Sequence, residues 1–315
     1  MPPSLAAEGR MMLQALLHDL RSVPDLELIL SLDERCLDFS LPFHAEIVVV
    51  GAFDDIDQLL PELIAQVDAV WPIAPETEDI LAGIAQRVKK MGKTLLLSDP
   101  EMVTVCGNKL TTFECLKACS LPVVDTLPLG GLGALPFIAS VIKPIDGVGC
   151  EGNIILNNPE QFPAALAGLG DTARYLIQPL CEGRAISLSC LFKRGRAWLL
   201  CCNWQEVDVV DNCFSLRACW VNAESRRHGY YQDLIDRVAQ AMPGLWGYVG
   251  IDLIETDEEA WILEINPRLT TSYGGILAAT GINVAEQVLG LLQAEPVFQK
   301  TRDRTVTVNI EAGSN

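Results

Sequence analysis

The stretch "YVGIDLIETDEEAWILEIN" (residues 248–266) spaces two carboxylates and a carboxamide as a cation site would need them. Two apolar runs flank "TDEEA". If they form a hairpin, partners have residue numbers that sum to about 516. Asp252 then falls opposite Glu264, and Asn266, two residues on, shares the face of Glu264. Like charges directly opposite each other destabilise a sheet, and a divalent cation removes that repulsion. Two carboxylates and an amide oxygen form a hard-oxygen set suited to Mg²⁺, which keeps its other positions for water and phosphate. On an arbitrary hairpin the same acids would be a solvated sheet face. Here the strand runs into Pro267 and Arg268, and an arginine beside a cation suits charge developing on a phosphoryl or acyl-phosphate group.

Three further stretches carry groups that suit a phosphate or a nucleotide. In "VIKPIDGVGCEGN" (141–153), Lys143 ends a strand and Gly147, Gly149 and Gly152 follow Pro144. Such a connection brings backbone N–H groups close to phosphate oxygens, and the lysine adds charge. It is neither the lysine-ended phosphate loop nor a dinucleotide fingerprint, and a plain glycine-rich turn has the same composition. In "RYLIQPLCEG" (174–183) a strand ends at Gln178 and Pro179. Its backbone over Leu180, Cys181 and Glu182 could read an adenine edge, as could any strand connection of this kind. "CGNKLTTFECL" (106–116) opens a helix with Lys109 in its first turn. A lysine there opposes the helix dipole, and a bound anion resolves the conflict.

These residues must be positioned by two unlike halves. A chain of 315 residues is long enough for about two domains. Up to residue 105, strands alternate with helices: an amphipathic helix at 8–20, "AEIVVV" (45–50) as a buried strand, and a helix at 54–66. "DAVWPI" (68–73), a helix at 76–91 and "KTLLLS" (93–98) complete the series. Nearly continuous apolar strands predict a parallel sheet covered on both faces. After a helix at 108–119, the Pro- and Gly-rich segment 121–136 changes the pattern. Strands are expected over 137–145, 153–156, 174–180, 185–193, 196–204, 213–221 and the pair within 247–266. Helices fall near 159–168, 229–242 and 282–293. This half reads as α+β and mainly antiparallel.

Composition narrows the function classes. With 23 basic and 41 acidic residues the formal charge is −18, which repels phosphate backbones and argues against nucleic acid as a partner. No apolar run reaches the length of a membrane span, and no secretory signal is evident, so a cytoplasmic protein without membrane contact is expected. Eleven cysteines include no C-x-x-C pair and fit no zinc spacing. They read as reduced, mostly buried thiols, with Cys201 and Cys202 on opposite faces of a strand. His18, His44 and His228 are scattered and read as structural or surface residues.

Taken in order, these motifs resemble the ATP-grasp family of carboxylate–amine ligases. They are the helix-opening Asn108-Lys109, Lys143-Pro144 with its glycine loop, the hinge Gln178-Pro179-Leu180, Asp252, and Glu264-Ile265-Asn266-Pro267-Arg268. A closer likeness is to the tyramine–glutamate ligase branch of methanofuran-type cofactor biosynthesis. It rests on Glu8-Gly9, Met12, Ala15-Leu16 and Asp19, on the turn Ala74-Pro75-Glu76, and on the run from Glu264 to Tyr273. The resemblance implies an α/β plus α+β fold: a parallel-sheet pre-ATP-grasp domain over 1–105, then an ATP-grasp domain over 106–315. Its central subdomain would span about 121–180 and its C-terminal subdomain about 181–300.

The resemblance also implies roles. Lys109, Lys143 and the loop glycines would hold the phosphates of ATP, and the hinge backbone through Cys181 would hold adenine. Asp252, Glu264 and Asn266 would hold one or two Mg²⁺ ions, with Mn²⁺ as the alternative. Lys143 and Arg268 would act on the transferring group. A small-molecule carboxylate, glutamate by preference, would form an acyl phosphate, and an amine of tyrosine or tyramine type would displace phosphate. Gln205, Ser272 and Tyr273 would line the substrate pocket, and a homodimer is the family-level expectation. Relatives carry a ribose-binding glutamate where this chain has Ala185, which leaves Glu182 for that contact. They also begin with a strand and a glycine-rich segment before the first helix, so either the first sheet lacks its first strand or the sequence starts short of it. Two other readings share these residues: an ATP-binding sensor without ligase chemistry, and a ligase with a different acceptor.

Overall fold

The computed structural model describes residues 3–37, 45–224 and 227–310. His44 lies outside them. The N-terminal part contains α1 (Pro3–Leu20), β1 (Ile29–Asp33), β2 (Glu46–Val50), α2 (Ile56–Gln66), β3 (Ala69–Val70), α3 (Ile80–Lys90), β4 (Thr94–Leu95) and α4 (Pro100–Gly107). Strand pairing is parallel throughout, but it forms two separate ladders, β1 with β2 and β3 with β4. The predicted burial of "AEIVVV" is overturned. Ile47 and Val49 in β2 are 41 % and 44 % exposed. Helix α1 packs instead against the C-terminal helices α8 (Tyr273–Thr280) and α9 (Val284–Gly290). Pro72 has no N–H to donate, which limits the β3 ladder to two residues. The helix expected from 76 starts only at Ile80, because Glu78 and Asp79 both take left-handed backbone.

The second part has two sheets. Helix α5 (Lys109–Ala118) leads to β5 (Leu127–Pro128), β6 (Ser140–Pro144), β7 (Ile154–Leu156), α6 (Phe162–Gly168) and β8 (Tyr175–Pro179). These strands form an antiparallel sheet in the order β5-β8-β6-β7. Then follow β9 (Arg184–Lys193), β10 (Arg196–Val210), β11 (Cys213–Val221), α7 (His228–Ala241), β12 (Gly247–Glu255) and β13 (Ala260–Asn266). Helices α8 (Tyr273–Thr280) and α9 (Val284–Gly290) and strand β14 (Val306–Asn309) complete the chain. The large sheet runs β13-β12-β9-β10-β11-β14 and is antiparallel.

This sheet separates two apolar cores. One face packs on α5 and α7 through Leu116, Tyr231, Leu234 and Val238, and the other on α1, α8 and α9 through Met12, Leu16, Ile276 and Val288. Cys201 and Cys202 on β10 divide between the two cores as their adjacency predicts. All eleven cysteines are free, but only five are buried, Cys106, Cys190, Cys201, Cys202 and Cys219. "Mostly buried" therefore overstates the case. His18 and His228 are surface residues at helix ends.

The shared spacing of Glu8, Met12, Leu16 and Asp19 is the inward stripe of α1. Met12 and Leu16 enter the core. Asp19, 4 % exposed, accepts from the Tyr273 hydroxyl at 2.8 Å and from the backbone N–H groups of Val284 and Ala285 at the start of α9. Burial pushes the Asp19 carboxyl up to about 6 from 3.8, against these hydrogen bonds. The unfolded chain therefore ionises at lower pH than the folded one. The stability this neutral carboxyl contributes is complete below about pH 4 and is lost as pH rises through about 6, a difference of roughly 3 kcal/mol. Urea unfolding at several pH values should show that decline in the native chain and a flatter profile in Asp19→Asn. Parallel profiles would show that Asp19 titrates normally.

Candidate active site

Strand register builds the centre of the site. In the β12–β13 hairpin Asp252 lies opposite Glu264 and Gly250 opposite Asn266, the pairing that the hairpin count predicts. A bulge follows between Asp252 and Leu253, which bends the strand beside the acids. Asp252 Oδ1 accepts from Gln205 Nε2 at 2.9 Å, and Oδ2 accepts from Asn266 Nδ2 at 2.9 Å. The Asn266 amide hydrogen, not its oxygen, meets Asp252. Gln205 comes from β10, so it joins the acids rather than lining a separate wall.

Two lysines answer the acids, one from the start of α5 and one from β6 of the smaller sheet. Asn108 caps α5 by accepting from the N–H groups of Leu110 and Thr111, which fixes Lys109 at the helix start. Lys109 Nζ lies 3.1 Å from Glu264 Oε2 and also donates to the Gly147 carbonyl. Lys143 stands at the end of β6. Burial pulls its pKa down and Lys109 adds to this, while Glu264 opposes both. Burial works against the Glu264 charge, but Lys109 and Lys143 outweigh it and hold that carboxyl below its ordinary value. Asp252 goes the other way: burial, and then the Glu264 charge, push it up.

Two partly buried carboxylates facing each other do not both ionise readily without an added positive charge. Among the described residues no group of three or more His, Cys, Asp or Glu gathers at one point. A cation here would therefore need Asn266 as well as the two acids. The donor set fits a hard divalent ion.

The glycine segment folds back on Pro144. Gly149 and Gly152 have φ of +62° and +70°. A Cβ at Gly152 would come within 2.9 Å of Pro144 Cγ. Cys150, between them, is itself left-handed at φ 64°. At the hinge, the buried Gln178 side chain donates to Thr126 Oγ1 at 2.9 Å, so it serves the fold. The Leu180 N–H is taken by the Ala139 carbonyl at 3.0 Å, and the Cys181 thiol turns to the Pro179 carbonyl. Backbone carbonyls at the hinge, rather than these donors, are what a base could meet.

Several expected contacts need correction. Glu182 lines a cavity of about 690 Å³ with Arg184, Trp204, Arg227 and Glu255. Arg184 and Glu255 each lie three residues from a member of the acid-bearing face, Ser187 and Asp252, and so point to the opposite face. Glu182 thus lines a cavity together with residues of the face opposite the acids. Ser272 and Tyr273 are each 2 % exposed. The Ser272 hydroxyl meets Ser187 Oγ at 3.3 Å. The Tyr273 ring stands edge-on to Tyr248, with centroids 5.4 Å apart. Both residues are buried where α8 begins and form no substrate wall.

Arg268 is already engaged. Its Nε donates to Glu76 Oε2 at 2.7 Å and its NH1 donates to the Leu269 carbonyl. Thr271, next to Ser272, donates to Glu8 Oε2 at 3.0 Å. Sequence reasoning assigned no role to Glu8 or Glu76. Their only signal was membership of short shared motifs, since their partners lie 263 and 192 residues away.

The chain matches a pre-ATP-grasp domain model over residues 26–103 and an ATP-grasp domain model over 106–272. It is 25 % identical to a tyramine–L-glutamate ligase from Methanocaldococcus jannaschii, covering 97 % of this chain and 89 % of the relative. Among solved structures it resembles an Archaeoglobus fulgidus protein ascribed to the ATP-grasp superfamily (TM-score 0.72, 21 % identity, 98 % and 87 % covered). It also resembles the biotin carboxylase domain of the Hydrogenobacter thermophilus 2-oxoglutarate carboxylase, described with magnesium ADP, ADP and bicarbonate (TM-score 0.73, 14 % identity, 94 % and 70 % covered).

The glycine segment provides a test. Gly152→Ala places a methyl against Pro144 in left-handed backbone, at a cost of roughly 1–3 kcal/mol. Weaker ATP binding in calorimetry is expected, together with a lower melting temperature. Gly168→Ala, with open space around the added methyl, should leave both unchanged. Equal behaviour of the two variants would remove the glycine loop from the site.

Proposed function

The chain belongs to the ATP-grasp family, and from that footing we propose that it is an ATP-dependent ligase joining a small carboxylate to an amine. The observation that carries this reading is the face-to-face pair Asp252 and Glu264 beside Lys109 and Lys143. The acid pair suits a divalent cation, and the lysine pair suits phosphate oxygens. In this reading ATP lies between the two sheets, with Lys109, Lys143 and the 147–152 loop on its phosphates and the hinge carbonyls near adenine. Asp252, Glu264 and Asn266 would hold Mg²⁺, which would supply neutralisation of the phosphate charge.

The substrate carboxylate attacks the γ-phosphorus, ADP leaves, and an acyl phosphate results. The ammonium sheds one proton to solvent, the amine nitrogen bonds to the acyl carbon, the C–O bond to phosphate breaks, and the released phosphate takes the second proton. Arg268, turned and charged by its neighbours, stabilises the transferring group. Glutamate as the carboxylate and a tyrosine- or tyramine-like amine as the acceptor are favoured by the near full-length likeness to tyramine–L-glutamate ligases. We place the product in the assembly of a one-carbon-carrier cofactor, as the motif resemblance implies.

An ADP-release screen over carboxylate and amine pairs tests the proposal. ADP and phosphate should form only when ATP, a divalent cation and both substrates are present. Glu264→Gln should lower that rate on the order of 10²- to 10³-fold. Release of AMP and pyrophosphate, or a fully active Glu264→Gln, would sink the assignment.

A further inference from the structure

Helix α1 and the turn before α3 lie outside the segment matched to the ATP-grasp domain. Each delivers one carboxylate to the neighbourhood of Arg268. Glu76 Oε2 accepts from Arg268 Nε at 2.7 Å, and the two side chains are 5 % and 12 % exposed. The other Glu76 oxygen, Oε1, is buried and has no hydrogen-bond partner. Glu8 Oε2 is bonded to Thr271, while its Oε1 lies 3.5 Å from where a Gly149 Cβ would stand. Glu8 thus bridges the glycine loop and the segment that follows Arg268. Burial opposes the Arg268 charge, but Glu76 above all, then Glu264 and Glu8, hold the guanidinium protonated.

Arg268 donates to only one of the two carboxylates brought beside it. Glu264 is answered by Lys109 and, at longer range, by Lys143. Arg268 answers one carboxylate, and Glu8 and Glu76 are two. A buried carboxylate oxygen without a donor is costly, and the group that would satisfy it carries positive charge and several N–H bonds. A primary ammonium has three such donors on a compact charge. A divalent ion would have to sit against the Arg268 guanidinium and is the poorer fit.

We propose that Glu8 and Glu76 form the subsite that binds the ammonium group of the incoming amine, beside Arg268 and the glycine loop. The assignment rests on the ligase reading above. It makes the N-terminal elements, rather than the ATP-grasp sheets, the source of amine recognition.

The test compares two nucleophiles on the full-length chain. A primary amine such as tyramine is cationic at neutral pH, whereas hydroxylamine is largely uncharged and needs no ammonium subsite. Glu8→Gln should raise the KM for the amine roughly 10- to 100-fold and the KM for hydroxylamine less than about threefold, within the scatter expected of a substitution outside that nucleophile's contacts. Glu8→Asp should recover part of the amine KM. Glu8 carries the test because Glu76 is buried, and its replacement could disturb folding. If both KM values move together, or neither moves, the subsite is wrong.

Failure of the ligase reading looks different: the native chain then forms neither amide nor hydroxamate while consuming ATP. Calorimetry with tyramine decides the subsite in that event. Binding that Glu8→Gln weakens at least tenfold supports it, and absent or equal binding overturns it.

Discussion

Two carboxylates placed face to face across a strand pair are the constraint that the rest of this structure answers. Asp252 and Glu264 are locked opposite each other by backbone hydrogen bonding, so neither can retreat from the other without loss of register. The fold answers the two unequally. Glu264 receives Lys109 directly and Lys143 at longer range, whereas Asp252 receives only the neutral amides of Gln205 and Asn266. One acid therefore stays ionised while the other is driven towards its protonated form. That imbalance is stored in the geometry, and an incoming positive charge relieves it.

Holding the acids in place requires rigid support on both sides. The large sheet provides it by separating two apolar cores, so that each of β9, β10 and β12 is packed on both faces. Beside the acids, on the same face of the sheet, polar residues replace apolar ones. Asn203 donates to Ser187 and Ser189, the Tyr248 hydroxyl lies 3.0 Å from Ser189 and 2.9 Å from Thr270, and Ser272 meets Ser187. Buried polar groups joined in this way gain from the low dielectric around them and fix one arrangement of side chains. Tyr273 extends the set to Asp19 and so ties α1 to the sheet.

Helix α1 makes the N-terminal and C-terminal parts one chemical unit. Its apolar stripe is consumed by α8 and α9. The first strand pair is left with exposed valine and isoleucine on β2, which shows where the burial free energy of that helix has gone. The same docking carries Glu8 to Thr271, and the Ala-Pro-Glu turn carries Glu76 to Arg268. Two carboxylates from one end of the chain thereby face an arginine from the other.

The sequence alone determined those features that depend on local periodicity and short-range pairing. Alternation and a central turn were enough to place Asp252 opposite Glu264, and the adjacent Cys201 and Cys202 had to enter different cores, because strand geometry has a period of two. The left-handed pair Glu78 and Asp79 was not legible, nor was the short helix that buries Ser272 and Tyr273, since each depends on what packs around it. The partners of Glu8, Glu76 and Asp19 were likewise decided only by the tertiary structure. Contacts spanning 192 to 263 residues leave no periodic trace, and a carboxylate reads the same in sequence whether it meets water or a buried arginine.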